Sequence, residues 1–166
     1  MSDQELKKSE LDELESPEQR LSALGISLPA APASVAVYLP YQRCGDQLWI
    51  SGQIALEGGS LKKTGQVGAE LSLEEARDCA RCCAINLIAQ ARAALGALSR
   101  VKRVVKIHVF VACGPDFHSQ HLVANGASEL LGEVFGELGR HARSAVGVSS
   151  LPLNSPVEID AIFEVE

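Results

Sequence analysis

The chain has 166 residues, enough for one compact domain with its own core, and a composition of 46% apolar and 22% charged residues argues against a disordered protein. The net charge of −6 is concentrated at the start, where residues 1–20 hold seven acids and three bases and leave the remainder close to neutral. No basic patch marks a nucleic-acid binder and no uncharged run is long enough for a bilayer, so neither nucleic acid nor membrane is an expected partner.

The acidic start carries no apolar run and does not read as a secretory or mitochondrial leader, which predicts a cytoplasmic protein. Ser16 and Pro17 open a short helix over 17–24 that Gly25 ends. Residues 1–27 are read as an acidic helical extension and 28–166 as the α+β domain. Val35, Val37 and Leu39 alternate as a first strand, Gly45-Asp46 marks a turn, and 48–54 is the next strand. Gly58-Gly59 predicts a tight turn before Leu61.

Ser72-Leu-Glu-Glu75 is a capping box, and Leu73, Ala76, Ala80, Cys83, Leu87, Ala91, Ala94 and Leu98 follow on one helical face. Residues 101–113 alternate as a strand. Pro115-Asp116 opens a second helix to about Leu138, with Gly139 at its stop. Two strands close the chain, 144–150 and 157–165, and their short connection suggests a hairpin. In the last, Val157, Ile159, Ala161, Phe163 and Val165 share one face, and Glu158, Asp160 and Glu164 the other, either exposed or part of a site. The order predicts an α+β two-layer sandwich, a mixed β-sheet with two helices on one face.

The sequence contains no phosphate loop, nucleophile elbow or metal quartet. Cys79, Cys82 and Cys83 fall in the first long helix with no second pair at ligand spacing, and are read as small buried hydrophobes. His118 and His121 are read as a helix-surface pair, and Arg100, Lys102, Arg103 and Lys106 as a solvated strand edge. Neither metal nor cofactor is expected. Arg143 stands out because Ser144 and Ala145 beside it leave room for a ligand, and a guanidinium fork matches a carboxylate. The alternative is a surface arginine at the start of a strand.

Ile50-Ser-Gly-Gln53, Asp116-Phe117, Ala142-Arg-Ser-Ala-Val-Gly-Val148, Leu151-Pro152 and Val157-Glu-Ile-Asp-Ala-Ile162 together resemble the Rid family, the reactive intermediate deaminases also called YjgF-like or endoribonuclease L-PSP proteins. The N-terminal helix and the stretch 79–86 resemble a longer branch of it. The resemblance implies a chorismate mutase-like fold and a homotrimer with a site at each subunit interface. It also implies an arginine, here Arg143, holding a small acidic substrate, and a glutamate, here Glu158, positioning the water that hydrolyses an imine or enamine such as 2-aminoacrylate. By position Tyr41 and Asn125 line the pocket, with Ser144 and Ala145 beside the arginine; Ala145 stands where archetypal members often have cysteine.

A regular hairpin of the last two strands sets Arg143 near Glu164 and puts Glu158 roughly 20 Å away along the strand. One chain could not then bring both groups to one small ligand, so they would come from different subunits. Two other readings use the same residues differently. A binding protein holding a 2-keto acid needs only Arg143, whereas a ribonuclease needs the phosphate-neutralising groove that this near-neutral body lacks.

Overall fold

The computed structural model describes residues 11, 14, 16–33 and 37–166. Helix α1 (Pro17–Ala23) starts in a capping box, with Ser16 Oγ accepting from the Gln19 amide at 3.2 Å and Gln19 Oε1 accepting from the Ser16 amide at 3.1 Å. Its Leu21 joins the core, and Glu18 Oε1 accepts from the Leu98 amide at 2.8 Å, which ties the helix to the body.

Strand β1 (Tyr41–Cys44) and strand β2 (Gln47–Ile54) form a hairpin over Gly45-Asp46. Of the strand expected at Val35, Val37 and Leu39, residue 35 lies outside the described residues, while 37–39 are not extended in any ladder. Pro40 has no N–H to give to a ladder; instead its carbonyl and that of Leu39 accept from the Ser51 amide and hydroxyl, at 3.0 and 2.7 Å. Gly58 and Gly59, at φ 61° and 85°, turn β3 (Leu56–Glu57) into β4 (Ser60–Leu61), as their left-handed backbone demands.

Helix α2 (Leu73–Leu95) carries the expected capping box: the Glu75 amide donates to Ser72 Oγ at 3.2 Å and the Ser72 amide to Glu75 Oε2 at 3.0 Å. Gly96 ends it at φ 80°. Its buried face is dominated by alanine, cysteine and leucine, small enough for the helix to lie close to the sheet. Burial pushes the Cys79 and Cys82 thiols up to about 11 and Cys83 well above its usual value, and Cys82 and Cys83 donate to the Leu56 and Val157 carbonyls.

Strand β5 (Val101–Ala112) is an interior strand of the sheet rather than an edge. Of its basic cluster, Arg103 pairs with Glu164 at 3.2 Å. Helix α3 (Gln120–Phe135) starts later than Pro115-Asp116 suggests. The chain first turns at Phe117, whose amide donates to the Gly114 carbonyl, and Gln120 bonds back to the Phe117 carbonyl at 2.6 Å. Gly136, at φ 59°, stops α3, and one 3₁₀ turn covers the rest of the distance to Gly139. His118 therefore precedes the helix that holds His121.

Strand β6 (Ala142–Val148) and strand β7 (Val157–Val165) do not form a hairpin. The sheet order is β1-β2-β7-β5-β6, with β6 parallel to β5 and β7 inserted antiparallel between β2 and β5. The 149–156 connection crosses the end of β5 instead of turning tightly; the Ala112 amide reaches the Pro156 carbonyl at 2.9 Å and the Cys113 amide the Val148 carbonyl at 3.1 Å.

Helices α2 and α3 cover one face of this mixed sheet, the two-layer α+β arrangement the sequence predicts. Ile107, Val109, Val111, Val157, Ile159, Ala161 and Phe163 meet Ala80, Cys83, Leu87, Leu130, Leu131 and Val134 in the core. Each large side chain buried there contributes about 1.5–3 kcal/mol. The helices approach closely at Gly126, where an added Cβ would lie 2.0 Å from the Arg77 carbonyl oxygen. Arg77–Glu129 and Arg81–Glu133 pairs, at 3.0 and 2.9 Å, bridge them at the surface. No described helix is long and apolar enough to cross a membrane.

Candidate active site

Arg143 sits near the start of β6, an edge strand, and shares the helix-covered face with Ile107, its partner in register. Its Nη1 donates to Asn125 Oδ1 and to Ser128 Oγ, both at 3.0 Å, and Nη2 donates to the His121 carbonyl at 3.1 Å. All three acceptors are neutral and belong to α3. No described carboxylate pairs with this cation, so its positive charge is held in place by dipoles and remains available to an anion.

Asn125 is thus brought to Arg143 as its position in the sequence suggests. Ala145 follows two positions along β6 on the same face and packs against the core. Ser144 points to the opposite, open face, in register with His108 and, beyond it, Asp160.

Glu158 lies elsewhere. It pairs in register with Phe110, on the open face, and its carboxylate rests against Gly52, where an added Cβ would be 2.0 Å from Oε1. The need for glycine in Ile50-Ser-Gly-Gln53 is therefore steric. Around Glu158 a cleft is lined by Pro32, Tyr38, Pro40, Ile54, Leu56 and Pro152, nearly all apolar. Burial, and then the charge of Asp160, hold the Glu158 carboxyl above its usual range. Asp160 itself is bonded to the imidazole of His108, Oδ1 to Nδ1, at 2.5 Å.

Tyr41 is not in this cleft. It packs on the helix-covered side at the β1 edge, near Ala94 and Leu95. Tyr38, three residues earlier and almost half exposed at 45%, lines the Glu158 cleft instead. Ser128 and His141 also had no local signal; they enter because α3 and the turn before β6 fold together.

Two half-sites result. Arg143 and Asn125 occupy the β6 edge, while Glu158 and Tyr38 occupy a cleft nearer the β1–β2 end, on the other face. Arg143 pairs with Ile107 and Glu158 with Phe110, so two strand spacings and three residues separate their Cα atoms, about 14 Å. The hairpin geometry behind the longer separation is incorrect, yet the two groups still point away from each other.

Comparison with known proteins agrees with this architecture. The family described as "YjgF/chorismate mutase-like, putative endoribonuclease" matches residues 18–164. Protein TCP17 of Trypanosoma cruzi is 51% identical over 146 residues, 87% of this chain and 91% of its own. A 2-iminobutanoate/2-iminopropanoate deaminase of Dermatophagoides farinae is 30% identical, over 85% of this chain and 95% of its own. The crystal structure of Atu1372, a protein of unknown function from Agrobacterium tumefaciens, superposes with a TM-score of 0.86 at 47% identity, covering 96% of this chain and 95% of its own. With a matching sheet, matching helices and a family match across nearly the whole length, the chain belongs to the YjgF, or Rid, family.

Proposed function

We propose that this protein hydrolyses small reactive 2-imino acids and their enamines in the cytoplasm, at a pocket completed by a neighbouring copy in a homotrimer. The observation that carries the reading is the pairing of two incomplete half-sites in one chain. One is an unpaired guanidinium beside an asparagine; the other is a carboxylate of raised pKa in an apolar cleft. They lie two strand spacings apart on opposite faces of the sheet, so a head-to-tail ring, closing on itself, can set the first half of one copy against the second half of the next. The partly open sheet face also exposes Trp49 and Val146, apolar groups suited to contact with another copy.

In this pocket Arg143 takes the substrate carboxylate in its fork. The adjacent imine carbon then lies where a water on Glu158 can add. As the oxygen bonds to carbon, Glu158 takes a proton from the water and passes it to the nitrogen. Glu158 then takes the carbinolamine hydroxyl proton and delivers it to the amine as the C–N bond breaks, giving ammonia and a 2-oxo acid. A base within hydrogen-bond reach of the attacking water is worth ~10²–10⁴-fold, and a carboxyl shifted upward is better suited to returning the proton. The chain's resemblance to an imine deaminase over most of its length supports this reaction class.

The test is direct. An amino-acid oxidase generates 2-imino acids in situ while semicarbazide competes to trap them. The wild-type protein is expected to outrun trapping; absence of acceleration across several imino acids, together with binding of a 2-oxo acid at Arg143, would make the protein a binder instead.

A further inference from the structure

Behind Arg143 lies a hydrogen-bonded chain that takes no part in the proposed hydrolysis. Ser128 Oγ, which accepts from Arg143 Nη1 at 3.0 Å, also lies 3.0 Å from His141 Nε2. His141 Nδ1 lies 2.6 Å from the Gly139 carbonyl oxygen. A carbonyl can only accept, so Nδ1 carries a proton. Burial first, and then the charge of Arg143, lower the pKa of this imidazole, against the opposing pull of the Gly139 bond.

In the neutral ring Nε2 is a bare lone pair, so the Ser128 hydroxyl must donate to it. That leaves the hydroxyl lone pairs for Arg143. Every role is then fixed: Arg143 donates to Ser128, Ser128 to His141, and His141 to Gly139. Protonation of His141 reverses the middle link. Nε2–H becomes a donor, and two cations converge on one hydroxyl oxygen, whose own proton must find another acceptor.

Among the described residues, two further titratable or charged groups lie close by: His121 of α3, whose carbonyl accepts from Arg143 Nη2, and Arg20 of α1, whose guanidinium lies beside Gly136. The surrounding carboxylates are paired elsewhere. On α3, Glu129 and Glu133 are engaged by Arg77 and Arg81 of α2. In the turn before β6, Glu137 and Arg140 pair with each other at 3.1 Å. From β5, Lys106 lies in register with Ala142, on the alternate face from His141.

We infer that Ser128 and His141 are positioning residues for Arg143, holding its guanidinium in the orientation that receives a ligand carboxylate only while His141 is neutral. This rests on the reading of Arg143 as the carboxylate anchor, but the relay can be observed without any ligand.

The experiment is an NMR titration of the ¹⁵N-labelled full chain from about pH 8 to about pH 5, the range in which imidazoles change charge. It is paired with the Kd of 2-oxobutanoate, a stable oxo analogue of an imino acid. The expected result is a His141 ring with Nδ1 protonated and Nε2 bare at neutral pH, and Arg143 guanidinium signals that move with the same midpoint as the ring. In parallel, wild-type affinity falls about tenfold as pH drops through that midpoint, the loss of about one well-made hydrogen bond. Ser128→Ala binds about tenfold more weakly at every pH, with a flat profile, and Ser128→Thr restores the wild-type profile. His141→Gln, whose amide oxygen accepts from Ser128 without titrating, keeps affinity constant across the range.

A ring carrying its proton on Nε2, or Arg143 signals that ignore the titration of His141, would overturn the relay whatever the ligand does. A relay that follows pH in a protein that never binds 2-oxobutanoate would keep the positioning role and remove the carboxylate reading instead.

Discussion

Arg143 and Glu158 flank the same interior strand from its two sides and face away from each other, one toward the helices and the other toward the open face. The intervening strand, β5, is paired on both sides between Lys106 and Val111, so no local movement of one chain brings the two groups onto a ligand of a few carbon atoms. Their separation is therefore built into the strand order, and it dictates what each variant should do.

Arg143→Ala removes the anion fork and should raise KM for a 2-imino acid, and Kd for the corresponding 2-oxo acid, about a hundredfold. Arg143→Lys should recover little of this, because an ammonium cannot make the bidentate contact or satisfy Asn125, Ser128 and the His121 carbonyl together. Binding by calorimetry checks both; full recovery by lysine would mean a point charge is enough.

Gly52→Ala acts on the other half-site. The new Cβ would meet Glu158 Oε1 at 2.0 Å, so the carboxylate must swing away from the position it now holds. A displacement of about 1 Å at a reacting group costs about a hundredfold, so kcat should fall on that order while circular dichroism and the affinity for a 2-oxo acid stay near wild type. Unchanged kcat would remove Glu158 from the chemistry.

Glu158 also makes a prediction about stability. Its carboxyl is held above the usual range, chiefly by burial and then by Asp160, so the folded state binds this proton more tightly than the unfolded chain. The sign follows: stability falls as pH rises from the ordinary carboxylate pKa through the raised one, and the penalty persists at neutral pH. Glu158→Gln should therefore raise Tm at neutral pH while abolishing turnover, and the gain should vanish in acid below the ordinary carboxylate pKa. Thermal melts at both pH values decide this; a variant no more stable than wild type at neutral pH contradicts it.

Gly126→Ala tests the frame. With 2.0 Å between the new Cβ and the Arg77 carbonyl, α2 and α3 must separate, at a cost of about 1–3 kcal/mol or more. Because Asn125 adjoins this contact, denaturation midpoints should fall and carboxylate binding should weaken with them. An unchanged midpoint would mean the helices shift apart freely.

Much of this was legible in the chain itself. Capping boxes at Ser16 and Ser72 and the alternation in 157–165 are local signals, and local structure follows them. Strand order is not local: nothing in residues 142–165 says that β6 runs parallel to β5 while β7 inserts elsewhere, so the apparent hairpin was a natural but incorrect expectation. The same holds for the site. Arg143, Asn125 and Glu158 sit within recognisable patterns, whereas Tyr38 reaches the cleft only because Ser51 pins the backbone at Leu39 and Pro40, and Ser128 and His141 meet only through tertiary packing.

The central claim, that one site is shared by two copies, is tested most directly by mixing. Arg143→Ala and Glu158→Gln chains, each inactive alone, are unfolded together in equal amounts, refolded, and assayed for imine hydrolysis. If each site takes its arginine from one copy and its glutamate from the next, random assembly makes about a quarter of the sites fully native, and about a quarter of wild-type turnover should return. No recovery from a mixture that demonstrably exchanges subunits would place both groups in one chain's site, or outside any site, and contradict the account.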